Sequence, residues 1–177
     1  EHRNILAIQR KATEKSPLFA ENWHTDWSFQ VKPPAGTCLY GIDIPPVGGD
    51  TLFSDQIYAL SEMPKALFRR IEGRYAVHSA KLAYAPDGMY GEADRSSDRS
   101  MSIKPSQSAY ETQMHPLVKT HPETGKPSLF GCLGYIVGIE GMASNESLEL
   151  LSELFEWQTK SKFVYRQRWA PNMLVLW

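Results

Sequence analysis

The amino-acid sequence predicts a mainly β (α+β) domain, a sandwich or jelly roll with flanking helices, and three observations carry that reading. Nine short runs rich in β-branched and aromatic residues are separated by Gly, Pro, Asn and Asp. Two stretches carry the periodicity of an amphipathic helix. Strands and helices do not alternate as a βαβ sheet would require.

Taken in order, strands are expected over Asn4–Ile8, Trp23–Phe29, Thr37–Ile44 and Thr51–Ser54. The turns Pro33-Pro34-Ala35-Gly36 and Pro45-Pro46-Val47-Gly48-Gly49 punctuate them. A first helix runs from about Glu62 to Glu72, with Ser61 as N-cap, Pro64 in its first turn and Gly73 as its stop. Met63, Leu67, Phe68 and Ile71 share one face of it. A strand over Arg74–Ala80 follows. Residues 85–113 are polar and rich in Gly, Ser and Asp, which predicts a lid or disordered loop inside a single domain spanning 1–177. Leu117–Thr120 and Ser128–Cys132 read as strands joined by the hairpin tip His121-Pro122-Glu123-Thr124-Gly125. The second helix runs from Asn145 to about Thr159, capped by Ser144, with Leu148, Leu151 and Phe155 as its stripe and Leu150, Leu154 and Trp157 widening it. Strands over Phe163–Trp169 and Met173–Trp177 close the chain.

Composition narrows the function. In 177 residues, 19 Lys and Arg oppose 20 Asp and Glu for a net charge of −1. No basic surplus is available for nucleic acid or an anionic membrane surface. No apolar run reaches the ~20 residues of a membrane span. Cys38 and Cys132 are too few for a disulfide framework, which favours a reducing compartment, the cytoplasm. The partner left is a small molecule, and a homo-oligomer stays open. The chain starts at Glu1 and stops in the apolar run Met173–Trp177, so it is expected to be a fragment cut at both ends.

The chemistry centres on Trp23-His24-Thr25-Asp26-Trp27-Ser28-Phe29. On a strand, residues i and i+2 share a face with Cα atoms about 7 Å apart. An imidazole and a carboxylate so placed can close on one ion, two-thirds of a 2-His-1-carboxylate facial triad. On a regular strand Trp27 and Phe29 would point away from His24, and only a bulge or twist would turn them inward.

Four blocks, NWHTDWSF (22–29), PPAGTCLYGIDIPPVGGDT (33–51), HPLVKTHPETGKPSLF (115–130) and FVYRQRWAPNMLVLW (163–177), together resemble the taurine/2,4-dichlorophenoxyacetate dioxygenase (TauD/TfdA) family. The resemblance implies a double-stranded β-helix, the cupin-like jelly roll. It implies Fe(II) as metal, 2-oxoglutarate and O2 as co-substrates, and hydroxylation of a small organic acid with release of succinate and CO2. His24 and Asp26 match two iron ligands, and Thr51 matches the threonine that hydrogen-bonds 2-oxoglutarate. The family's distal His, which follows Trp-Asp-Asn-Arg, and the Arg beyond it are absent from the chain. Phe29, His78 and Trp27 are the candidate substrate contacts, His78 alternatively lying behind the metal. His115 and His121 match scaffold positions, and His2 is uninformative. Ala20 and Ala80 replace residues of taurine-specific members, so an aryloxyalkanoate, another sulfonate or a related carboxylate is the expected substrate. Arg95, Arg99 and Lys104 are the loop cations that a lid could present to it. The alternative is a non-enzymatic β-helix binding domain or an inactive truncated product.

Overall fold

Short β-branched runs become strands only where a partner completes their hydrogen bonds, and here the partners are distant in sequence. The computed structural model describes residues 5–94 and 98–177. The strands are β1 (Cys38–Tyr40), β2 (Thr51–Ser54), β3 (Tyr75–Ser79), β4 (Thr112–Pro116), β5 (Val118–Thr120), β6 (Pro127–Leu129), β7 (Ile136–Ile139), β8 (Val164–Gln167) and β9 (Leu174–Leu176). The helices are α1 (Gln56–Ser61), α2 (Lys65–Ile71), α3 (Lys81–Tyr84) and α4 (Ser144–Gln158). All pairings are antiparallel and nested: β1 with β9, β2 with β8, β3 with β7. β4 pairs with the other edge of β3, and β5–β6 form the expected hairpin around His121. This chain folded back on itself is the jelly-roll plan.

The core lies between the β4-β3-β7 sheet and the helices. Leu67, Ile71, Ala76, Leu117, Ile136, Ile139, Leu150 and Leu154 are all buried in one cluster. Burying a leucine fully contributes roughly 1.5–3 kcal/mol. In α4 the buried face is Ser147, Leu150, Leu151, Leu154 and Gln158, while Leu148 of the expected stripe is exposed. Two leucine stripes overlap in this helix, and buried polar bonds choose between them. Ser147 Oγ accepts from Ile139 N at 2.7 Å, and Gln158 Nε2 donates to the Gly131 carbonyl at 3.0 Å.

Several boundaries differ from expectation. The expected first helix is α2, which starts only at Lys65 because Pro64, lacking an N–H, occupies its N-cap, and α1, which Asp55 caps through the N–H groups of Ile57 and Tyr58, precedes the expected range. Ser61 therefore ends one helix instead of capping another. α4 begins at Ser144, one residue before the expected start, with Ala143 at its N-cap. Residues 5–8 form no strand, and Asn4 lies outside the described residues. β4 and β7 were not expected, because each is short, contains Pro or Gly, and owes its conformation to pairing with β3. Residues 85–113 include turns, a 3-10 turn over Gln107–Tyr110 and the start of β4. They bond the N-terminal segment: the Asp98 carboxylate accepts from Lys15 N and Ser16 N, and the Glu14 carboxylate accepts from Ser100 N. No helix of the described residues is long and apolar enough to cross a membrane.

Candidate active site

Asp26 opens a turn over 26–29 and His24 lies in irregular chain just before it, which corrects the strand expected over Trp23–Phe29. The segment has no partner strand. Local bonds from Ser28 N to Thr25 O and from Gln30 N to Trp27 O fold it instead. Trp27 pays for the turn with φ 47°, a left-handed conformation costing roughly 1–2 kcal/mol for a non-glycine residue. The turn still brings the imidazole and carboxylate together, with His24 Nε2 at 3.2 Å from Asp26 Oδ1.

Hydrogen bonds orient both groups. His24 Nδ1 lies 2.8 Å from the Asn22 carbonyl, an acceptor, so Nδ1 carries a hydrogen. The Nε2 lone pair is then aimed at a carboxylate oxygen, an arrangement that repels unless a cation joins the two. Without a metal that cation is a proton, and Asp26 accordingly raises the His24 pKa, while His24 lowers that of Asp26. The other Asp26 oxygen, Oδ2, accepts from the Trp177 indole at 3.0 Å, and Thr37 also donates to the carboxylate. One imidazole nitrogen and one carboxylate oxygen, held by such outer bonds, fit a divalent transition metal. Among the described residues, no group of three or more His, Cys, Asp or Glu side chains is placed to hold a metal.

The neighbouring turn grips the ligand segment from below. Cys132 Sγ donates to the Trp23 carbonyl at 3.1 Å, and burial pushes its thiol up to about 11. At Gly134 a Cβ would come within 2.9 Å of the Trp23 carbonyl oxygen and 3.1 Å of His24 Cβ, so glycine permits the close approach.

Thr51 opens β2, where pairing with β8 sets it opposite Gln167. Its hydroxyl oxygen accepts from the Trp169 indole at 3.0 Å, which leaves the hydroxyl hydrogen free to donate. Phe53, two residues on and on the same face, packs against the Trp177 ring at 5.1 Å. One tryptophan, Trp169, thus braces the 2-oxoglutarate candidate and another, Trp177, braces the metal pair. Both lie in the block 163–177, yet their roles depend on the β1–β9 and β2–β8 pairings, which local pattern does not reveal.

The predicted substrate contacts separate. Phe29 packs on Tyr135 at 4.9 Å and Tyr84 at 6.3 Å, and Tyr135 stands edge-on to His24 at 6.3 Å. The Tyr135 hydroxyl donates to that of Tyr84 at 3.4 Å, and burial raises both phenol pKa values. Sequence reasoning missed both tyrosines, since each lies in a turn or short helix without periodicity. Trp27 is 52% exposed. His78 is fully buried on β3 and touches Ser28 of the ligand turn. His121 Nδ1 accepts from Glu123 N and Thr124 N at the hairpin tip, a scaffold role. Arg99 is bonded to Asp94 and the Pro17 carbonyl, and Lys104 is exposed. His2 and Arg95 lie outside the described residues.

The chain is similar to known proteins in sequence and in fold. The chain is 36% identical over 175 residues to the alpha-ketoglutarate-dependent 2,4-dichlorophenoxyacetate dioxygenase of Cupriavidus pinatubonensis, covering 96% of this chain and 55% of that protein. It is 31% identical over 156 residues to the alpha-ketoglutarate-dependent sulfonate dioxygenase of Saccharomyces cerevisiae, covering 88% and 35%. The solved structure of a taurine dioxygenase from Burkholderia xenovorans superposes with TM-score 0.70 at 27% identity, covering 92% of this chain and 51% of the other. That of AAD-2 in complex with Mn(II) and N-oxalylglycine gives 0.71 at 26%, covering 88% and 57%. The chain spans about half the length of most of these relatives and about a third of the yeast one. The family model for the taurine catabolism dioxygenase TauD, TfdA family matches residues 2–177, and the chain belongs to that family.

Proposed function

We propose that the protein containing this chain is an Fe(II)- and 2-oxoglutarate-dependent dioxygenase that hydroxylates a small organic acid. The observation that carries the reading is the facing of His24 Nε2 and Asp26 Oδ1 at 3.2 Å, a pair that needs a cation between its lone pairs. His24 and Asp26 would hold the metal and Thr51 the co-substrate. Bound iron with 2-oxoglutarate and O2 supplies the oxidising power for C–H hydroxylation, releasing succinate and CO2.

The chain's own residues prepare that chemistry. Asn22 fixes the His24 ring through Nδ1, so Nε2 presents its lone pair. His24 chiefly keeps Asp26 ionised, helped by Thr37 and Trp177, which also hold its carboxylate in place. Trp169 donates to the Thr51 hydroxyl oxygen, which leaves the hydroxyl hydrogen to donate to a carboxylate. Phe29, Tyr84 and Tyr135 form an aromatic wall beside His24, suited to excluding water and packing an aryl or alkyl group. The relatives' names, covering 2,4-dichlorophenoxyacetate and sulfonates, support a small acid as substrate. The free thiols of Cys38 and Cys132 support a cytoplasmic setting.

A second reading rests on the absence, among the described residues, of a group of three ligands. In it the 177-residue chain alone binds ligand without turnover. Anaerobic titration with Fe(II) and 2-oxoglutarate separates the two. A visible charge-transfer band in a chain of its relatives' length supports the enzyme, and no band there overturns it.

A further inference from the structure

Two buried histidines outside the metal pair reach toward the same turn. His78 on β3 is 0% exposed and His115 on β4 is 8% exposed. Their rings lie 5.2 Å apart, and both pack on Phe130, at 5.8 Å and 5.4 Å. Each directs one nitrogen to the segment after Asp26. His78 Nδ1 lies 3.0 Å from Ser28 Oγ, and His115 Nε2 donates to the Gln30 carbonyl at 2.9 Å.

That segment needs an external hold. It pairs with no strand, and Trp27, between Asp26 and Ser28, has the left-handed φ of 47°. Such a conformation persists only where its surroundings determine it. Ser28 is fully buried directly after the strained residue, and His78 is its side-chain partner. Upstream, Cys132 and Gly134 already fix Trp23 and His24. Downstream, the histidines supply the matching anchor, so the Asp26 backbone lies between two anchors while Trp177 and Thr37 bond its carboxylate.

The His78 ring is costly to bury. Its Nε2 is a buried nitrogen with no hydrogen-bond partner, and such a group destabilises a fold. The backbone is shaped around it, since a Cβ at Gly131 would lie 2.5 Å from His78 Cε1. The packed ring leaves no room at Nε2 for a substrate, and its one bond goes to Ser28.

We propose that His78 and His115 are positioning residues, which hold Ser28 and Gln30 and so set the turn that presents Asp26 to His24. The catalytic meaning of this clamp rests on the function proposed above; its existence does not. The test is hydrogen exchange on the 177-residue chain, followed at Ser28 and Gln30, whose amides donate within the turn. In Ser28→Ala, His115→Gln and His78→Leu, these amides should exchange at least tenfold faster, while those of β3 and α4 change less than twofold. His78→Asn, which keeps a polar atom near the Nδ1 position, should restore protection. Should His78→Leu fail to fold, Ser28→Ala and His115→Gln still decide the matter. Uniform acceleration across β3, α4 and the turn, or none at the turn, overturns the proposal. Co(II) affinity, measured in parallel, should fall about tenfold in the same variants. The enzyme reading is decided separately, by the charge-transfer titration in a chain of its relatives' length, and the exchange pattern decides the clamp.

Discussion

The packed body and the ligand turn are stabilised in different ways. In the body, β3 has partners on both edges and α4 covers the sheet with Leu150 and Leu154, each 2% exposed. In the turn, Trp27 is 52% exposed, no strand is paired, and position is set by side chains reaching out of the body: Cys132, His78 and His115. The body is held by area and periodicity, the site by a few polar contacts and one strained residue. Chemistry can therefore be removed from the turn with little effect on the fold, whereas loss of the body removes both.

The largest effect should come from the body. Leu154→Ala leaves a cavity under α4 and should destabilise the chain by about 2–5 kcal/mol. Denaturant unfolding checks this, and a loss under 1 kcal/mol would mean that the helix is less tightly packed than its burial shows.

Acid should separate the two regions through histidines of opposite sign. Burial, with His115 beside it, depresses the His78 pKa from 6.5 to about 4. The unfolded chain then takes up this proton first, so stability falls as pH drops from about 6.5 toward 4, by roughly 3 kcal/mol at the limit. His24 behaves oppositely: its pKa is raised by Asp26, so its contribution is complete below 6.5 and disappears as pH rises through its folded value. Urea midpoints measured from pH 4 to 8 should show the acid loss, and His78→Asn should flatten it. An acid limb unchanged in His78→Asn would place the loss on other groups.

Asp26→Ala tests the turn alone. It removes one of two ligands and should weaken Co(II) or Mn(II) binding about 100-fold, roughly 2.7 kcal/mol, with an unfolding midpoint close to that of the parent chain. A large fall in stability would show that the turn supports the body, contrary to the comparison.

What could be read from the sequence follows the same division. Thr51–Ser54 is a strand as expected, and Met63, Leu67 and Ile71 are buried as expected, since local pattern marks those runs even though β8 completes the strand's hydrogen bonds. The proximity of His24 and Asp26 was legible from their i, i+2 spacing, but the reason given for it was not correct: a turn places them, not a strand. The parts of the site that were missed, Trp169, Trp177, Tyr84 and Tyr135, reach it through pairings and packing between segments more than 50 residues apart. Neither strand nor helix periodicity carries such information. His78 was marked for its place in the family pattern, and the structure gives it a partner in Ser28.

Trp169→Phe is the smallest change and the sharpest for Thr51. The substitution keeps an aromatic ring and removes the indole N–H that donates to Thr51 Oγ1 at 3.0 Å. A neutral hydrogen bond of this kind contributes about 0.5–1.5 kcal/mol net. Freed of it, the hydroxyl rotates among several orientations, and only some of them direct its hydrogen toward a carboxylate. Affinity for 2-oxoglutarate should fall about three- to tenfold, measured calorimetrically with Mn(II) present in a chain of its relatives' length, while metal affinity stays unchanged because Asp26 takes its indole bond from Trp177 instead. Thr51→Val, which deletes the hydroxyl, should weaken 2-oxoglutarate at least as much, and the double variant should be no weaker than Thr51→Val alone. Additive losses would show that Trp169 acts on the co-substrate by a route other than Thr51.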